Sequence, residues 1–414
     1  MTNIKDICLA AKEAANSFMK ISTEQKNAIL AGIKEEIMSN VDKIYEYNRL
    51  DLIQAKENGR NDAFIDRLTL TDSRIRSMAD GIDAIIKLTD PVGEIEQEYT
   101  LPNGLEVRKI RSPLGVIGII YEARPNVTVD AAALCIKSSN AVILRGSKDA
   151  VNTNKYLVSL MKSVLTKQGF NQGLVGFIEG ADRAFTQEML KQEGLIDVVI
   201  PRGGEQLKKF VLEHAAMPVI ASAGGNCHTY VESSCDKEMA LKVVLNAKLN
   251  RPSVCNALET ILCDRKMASE FLPICLKELQ DRGVEIRGDN EVKQLFADTA
   301  LINDEEYHKE YNDLIVKVKI VADIDEAIKH INYYGTNHSE AIITEDSDKA
   351  QRFAREVDAA AVYVNASTRF TDGFELGLGA EMGISTQKLH VRGPIGLKEL
   401  TSLKYVVAGK GHVR

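Results

Sequence analysis

A chain of 414 residues is too long for one small core and points to two or three domains. Its 44% hydrophobic and 27% charged residues are ordinary for a soluble globular enzyme, and a formal net charge of −7 argues against nucleic acid or an anionic membrane as the main partner. No apolar run approaches the ~18 residues of a membrane span, and the polar start (Thr2, Asn3, Lys5, Asp6) does not read as a secretory signal.

Residues 1–97 read as helical. Ser22 with Gln25 three positions later fits a capping box, and Ile29, Ile33 and Ile37 then mark one apolar face. Gly59 is placed to stop a helix. These helices pack on something else and carry no chemistry of their own. Residues 105–110 are strand-like with alternating charge.

From Pro113 the texture changes. Residues 116–120 are apolar and mostly β-branched, as in a strand buried on both faces. Helix 128–137, strand 141–144, helix 151–167, strand 175–178, helix 183–190, strand 198–200, helix 205–214 and strand 219–221 follow. Such alternation implies a parallel sheet with helices on both faces, whose ligands sit beyond the carboxyl ends of the strands. The small residues Ser222-Ala223-Gly224-Gly225-Asn226 read as a flexible join. The alternation then restarts with strand 229–231, helix 237–249, strand 260–263, helix 268–280 and strand 284–286. It continues with strand 314–320, helix 324–334, strand 340–344, helix 348–355 and strand 361–364. The predicted fold class is α/β with two consecutive doubly wound, Rossmann-like domains, and the gap between two such domains is the default ligand site. Residues 370–390 are rich in glycine (Gly373, Gly377, Gly379, Gly383) and read as a loop, and 404–408 is again strand-like. Together with 105–110 it forms either an arm for oligomer contacts or an edge hairpin.

The cysteines are Cys8, Cys135, Cys227, Cys235, Cys255, Cys263 and Cys275. An odd number with no C-x-x-C pair indicates a reducing compartment, and no His/Cys cluster has metal-ligand spacing, so the chain is expected to be cytoplasmic and without metal. Cys255 lies in the polar turn Asn250-Arg251-Pro252-Ser253-Val254-Cys255-Asn256, between a helical run (237–249) and an apolar run ending at Cys263. A turn there can supply backbone N–H groups that favour thiolate; the competing reading is one more small buried hydrophobe.

No G-x-G-x-x-G follows the first strand. Arg145-Gly146-Ser147-Lys148 follows the second, and either holds a ribose phosphate or is a solvated turn. Pro201-Arg202-Gly203-Gly204-Glu205 opens a helix whose backbone N–H groups could face a pyrophosphate. In Tyr121-Glu122-Ala123-Arg124-Pro125-Asn126, Arg124 suits a phosphate or carboxylate. Asn126 suits an oxyanion, or caps the next helix. No histidine forms a visible dyad with Cys255, so a Cys–His hydrolase is not indicated.

Taken together, PLGVIGIIYEARPNVTVDAAALCIKSSNAVILRGSK, VIPRGGEQL, NRPSVCNALET and GLGAEMGISTQKLHVRGPIGLKELTSLKYVVAGKGHVR resemble the aldehyde dehydrogenase superfamily over essentially the whole chain. The last two set apart its branch of acyl-phosphate reductases from ordinary members. The resemblance implies reduction of L-glutamyl 5-phosphate to L-glutamate 5-semialdehyde with NADPH, in proline biosynthesis. Cys255 would be the nucleophile that forms a thioester and Asn126 the oxyanion donor. Arg145, Ser147 and Lys148 would sit at the adenosine ribose, their cations favouring a 2′-phosphate, with Gly203 and Gly204 nearby. Glu310 would hold the nicotinamide ribose, and Arg124 is the candidate for substrate. The implied domains are residues 1–97 and 114–223 for NADPH, 224–390 for catalysis, and 98–113 with 391–414 as a small β oligomerisation arm. A homo-oligomer is expected, and the glutamate 5-kinase that makes the acyl phosphate is a candidate partner. Ordinary members carry a Glu, as base for hydrolytic water, where this chain reads Ser222-Ala223-Gly224-Gly225. Its absence makes water attack slow and phosphate the natural second nucleophile. The alternative is an NAD(P)-dependent dehydrogenase of another aldehyde.

Overall fold

The computed structural model describes residues 3–180, 182–222 and 224–414; Thr2 of the polar start and Ala223 of the expected join lie outside them. The chain divides into two compact units: Met1–Ala221 with Gly377–Gly383 and Ile395–Arg414, and Ser222–Leu376 with Ile384–Pro394. The division departs from the expected domains. Residues 98–113 and 395–414 belong to the first unit, as does Gly377–Gly383 from the glycine-rich loop, while 391–394 fall in the second.

In the first unit, four parallel strands run in the order Val175–Phe177, Ala141–Arg145, Val116–Tyr121, Val198–Arg202. Val116–Tyr121 is buried at all positions, which is what its unbroken apolar run encodes. Ile120 pairs with Arg145 on one side and Pro201 on the other, so three strands finish level at their carboxyl ends. The chain leaves the central strand toward one edge and later returns to its other side, which creates the crevice where such sheets take ligands. Residues 219–221 contribute only an isolated bridge, Val199 to Val219, rather than the strand expected there.

Helices cover this sheet. Ile4–Phe18 packs on the strands Ala141–Arg145 and Val175–Phe177. Thr23–Ser39 begins with the predicted capping box: the Ser22 hydroxyl accepts from Gln25 N–H and the Gln25 side chain accepts from Ser22 N–H. Its Ile29, Ile33 and Ile37 are buried. The next helix ends at Glu57, and Gly59 beyond it has φ +70°, a conformation open to glycine without a Cβ penalty.

The all-helical reading of 1–97 fails at its end, because Ile95–Thr100 is a strand exposed at every position. It pairs antiparallel with Glu106–Pro113, which in turn pairs with Thr401–Ala408 from Thr401 opposite Pro113 to Ala408 opposite Glu106. Without a buried face the strand has no apolar alternation to betray it.

The second unit holds seven parallel strands in the order Ala300–Leu301, Glu285–Gly288, Ile315–Val321, Leu258–Asp264, Cys227–Val231, Ser339–Ile343, Ala361–Val364. The central strands Cys227–Val231, Leu258–Asp264 and Ser339–Ile343 are wholly buried. Lys237–Leu249, capped by the Asp236 carboxylate on Met239 N–H, delivers the chain to the cysteine turn.

Candidate active site

Six of the seven thiols are buried, and Cys255 alone is part-exposed. Burial pushes Cys235 up to about 11, and Cys8 and Cys275 up to about 12; it raises Cys135, Cys227 and Cys263 as well. Those six are poor nucleophiles at neutral pH, which leaves Cys255 as the candidate. Its turn precedes the strand Leu258–Asp264, so it stands at the amino end of the second unit's sheet, where outward-facing backbone N–H groups gather. The carboxyl-end rule that locates the first unit's crevice does not locate this turn.

Gly225 packs directly against the turn. A Cβ built on it would fall 1.3 Å from the Cys255 carbonyl oxygen. The Gly225 N–H donates to Glu310 Oε1 at 2.7 Å, Asn226 N–H donates to Thr336 Oγ1 at 3.0 Å, and the Asn226 amide donates to the carbonyls of Tyr307 and Tyr334 at 2.8 Å each. Lys317, buried and pulled down to about 8 chiefly by desolvation, donates to Asn226 Oδ1 at 2.8 Å. Gly225 and Asn226 are therefore buried and pinned rather than a flexible join. Behind the turn, Cys227 Sγ donates to the Cys255 carbonyl at 3.2 Å.

Two predicted residues thus come together, since Glu310 reaches the Cys255 turn through Gly225. This also amends the reading of the missing carboxylate. Ser222, Gly224 and Gly225 supply none, but a carboxylate from elsewhere in the sequence, Glu310, reaches the Cys255 turn through Gly225. One of its oxygens, Oε1, is already held by the Gly225 N–H.

The remaining predicted residues gather in the first unit. A cleft of about 500 Å³ beyond its strands is lined by Arg60, Tyr121, Glu122, Arg145, Ser147, Lys148, Arg183 and Phe210, among others. Lys148 is exposed at its edge. Arg145 is buried and donates to the carbonyls of Gly146 and Asp182, while its Nε is a buried donor without a partner. Ser147 caps the short turn after it, accepting from Asp149 N–H at 3.2 Å, and Asp149 is neutralised by Arg60 at 2.9 Å. Four cations against the carboxylates of Glu122 and Asp149, a cleft of small-ligand volume and an orphaned guanidinium donor fit a phosphorylated nucleotide.

The glycine turn corrects the sequence reading. Gly204 N–H is not open to a pyrophosphate, because it donates to Glu122 Oε2 at 3.2 Å. Gly203 lets Glu122 approach: a Cβ there would lie 2.7 Å from its carboxyl carbon. Glu122 occupies the helix N-terminus as an anion would. Gln206 and Leu207, one turn on, line the cleft instead.

Arg124 and Asn126 line a separate small cavity of about 60 Å³ with Asp130, Arg202, Glu381 and Met382. Asn126 is the first residue of its helix rather than the cap, and its amide donates to Asp130 Oδ2 at 3.0 Å. Burial pushes Asp130 up to about 6, against the pull of Asn126 and Arg202. Asp130, one turn into the helix after Asn126, carries no signal of its own in the sequence, and Glu122, just beyond a buried strand, reads there only as one polar residue of its motif.

A family model for the aldehyde dehydrogenase family matches residues 1–310 and 308–406. The chain belongs to that family. It is 52% identical over 414 residues to gamma-glutamyl phosphate reductase of Carboxydothermus hydrogenoformans, covering 100% of both chains. The crystal structure of gamma-glutamyl phosphate reductase from Thermotoga maritima superposes with a TM-score of 0.98 at 44% identity, again over 100% of both chains. A propionaldehyde dehydrogenase from Rhodopseudomonas palustris shares the fold, with a TM-score of 0.71 at 17% identity, covering 99% of this chain and 94% of that one.

Proposed function

We propose that the chain reduces L-glutamyl 5-phosphate to L-glutamate 5-semialdehyde in proline biosynthesis, with Cys255 as nucleophile. The observation that carries the assignment of the nucleophile is that Cys255 is the one part-exposed thiol of seven, in a turn braced by Gly225. The full-length likeness to gamma-glutamyl phosphate reductases supports the substrate.

Cys255 Sγ, as thiolate, attacks the acyl carbon. The carbon–oxygen bond to phosphate breaks with its electron pair, and a thioester remains on the protein. A nicotinamide cofactor, when bound, supplies the hydride that reduces this thioester. The tetrahedral thiohemiacetal then collapses, Cys255 leaves as thiolate and the semialdehyde is released. Backbone donors at the Cys255 turn stabilise the oxyanion; Asn126 is the second donor on the strength of the resemblance. Arg124, beside Arg202 at the small cavity, is the candidate to hold a substrate anion. Arg145, Ser147 and Lys148 would hold the adenosine ribose and its 2′-phosphate, which makes NADPH the cofactor; Gly203 and Gly204 act there by admitting Glu122. Glu310 serves the nicotinamide ribose from its place by Gly225.

The exposed Tyr99, Tyr405, Val406 and Val407 on the three-stranded sheet support an oligomer arm. No helix among the described residues is long and apolar enough to cross a membrane. We place the enzyme in the cytoplasm, supplied by the kinase that makes its labile acyl phosphate. The test is semialdehyde oxidation with NADP and with NAD, each with and without phosphate. Activity that needs phosphate supports the reading; brisk oxidation to the free acid without it overturns it.

A further inference from the structure

The segment after the last strand of the second unit's sheet is latched to the cysteine turn by side chains. Thr368 Oγ1 donates to the Asn256 carbonyl at 2.7 Å, and the Asn256 amide donates to the Thr371 carbonyl at 2.8 Å. Arg369 spans the turn. Its Nε donates to Asn250 Oδ1 at 3.2 Å and its Nη1 donates to Asn256 Oδ1, so one guanidinium ties together the residues that open and close Asn250–Asn256.

We propose that Arg369 is the positioning residue of the nucleophile, its planar fork holding the Cys255 turn in one conformation and its charge keeping the sulfur ionised. The inference rests on Cys255 being the nucleophile. A planar group with fixed donors suits the first task, since it locks two amide oxygens at once where a lysine can reach only one well. The second follows from placement, since a permanent cation beside a thiol favours thiolate. Arg369 grips Asn256, the residue next to Cys255, which puts the guanidinium beside the thiol's own turn. Burial lowers Arg369, as does Arg251; Asp372, Cys255 and Glu375 pull the other way, yet a guanidinium stays charged at neutral pH. The charged groups acting on Arg369 are Asp372 and Glu375 as well as Arg251 and Cys255, and Glu310 meets the turn through Gly225. Behind lies Cys227, kept neutral by burial.

The test is the pH dependence of Cys255 alkylation by iodoacetamide in the full chain, with Cys255→Ala as the blank. Arg369→Gln should move the midpoint up by about one pH unit and slow alkylation at pH 7 about tenfold, in line with loss of one adjacent cation. Arg369→Lys should keep a near-native midpoint while lowering kcat at unchanged cofactor KM, because charge is retained and the clamp is not. A midpoint in Arg369→Gln that coincides with the wild type overturns the proposal. Should that variant fail to fold, Asn250→Ala, which removes one of the two acceptors, must slow alkylation at pH 7 several-fold, and an unchanged rate overturns the proposal equally. Retained turnover in Cys255→Ala would instead remove the nucleophile itself, whatever Arg369 does to alkylation.

Discussion

Gly225→Ala puts the smallest possible side chain where the structure leaves no room. Its Cβ would lie 1.3 Å from the Cys255 carbonyl oxygen, 2.3 Å from the carbonyl carbon and 2.9 Å from the Cys255 Cα. All three are backbone atoms, so no rotamer change relieves the clash. The closest contact has to widen from 1.3 Å to about 3.0 Å, and either the Cys255 turn retreats or Gly225 lets go of Glu310. A misplacement of about 1 Å at a reacting group costs about 100-fold in rate, or about 2.7 kcal/mol of transition-state stabilisation. The accompanying strain should lower stability by ~1–3 kcal/mol, the usual cost of overpacking. We expect phosphate-dependent semialdehyde oxidation to fall at least 100-fold in kcat, with NADP binding by fluorescence titration weakened no more than in Glu310→Gln, because the cation-lined cleft belongs to the other unit and Gly225 touches only Glu310 among the proposed cofactor residues. A Gly225→Ala enzyme within threefold of wild-type kcat, with an unshifted melting temperature, would refute the packing on which the nucleophile's placement rests.

Cys255→Ala should abolish turnover and leave cofactor binding near normal, measured by single-turnover reduction and by titration. Lys148→Ala should weaken NADPH about tenfold more than NADH, as expected for one lost charge-assisted contact of ~1.5 kcal/mol; equal losses in a binding titration would remove the 2′-phosphate from that site. Glu310→Gln should leave the phosphate requirement of semialdehyde oxidation intact, and a drop in phosphate-free hydrolysis would show that Glu310 activates water after all. His330 is buried against Tyr307 and Tyr334, and desolvation pulls it down from its ordinary value to about 2. The unfolded chain therefore takes up a proton near pH 6.5 that the fold refuses, so this contribution is intact above that pH and lost as pH falls. His330→Phe should flatten the acid limb of the stability curve by about 1.4 kcal/mol per pH unit between pH 6 and 4. Parallel urea-melt curves for the two proteins would contradict it.

What was legible in the amino-acid order was whatever a residue's immediate neighbours encode. Val116–Tyr121 is apolar throughout because both faces of its strand are covered, and Ser22 with Gln25 signals a helix start through bonds three residues long. The turn Asn250–Asn256 likewise announces itself by polarity between a helix and a buried strand. The family likeness adds the chemistry assigned to that turn, through motifs that are contiguous in the chain. Ile95–Thr100 was missed because an exposed strand carries no burial rhythm, and its partners are set by pairing alone.

Only the tertiary structure decided which loops meet. Gly225 lies under Cys255, Glu310 holds Gly225 from 85 residues away, Glu122 fills the helix N-terminus that Gly204 seemed to offer, and Arg369 clasps both ends of the cysteine turn. Each of these depends on strand order and on where a connection returns. Local periodicity records only whether a side chain is to be buried, whereas sheet order is set by the summed burial and hydrogen bonding of the whole unit.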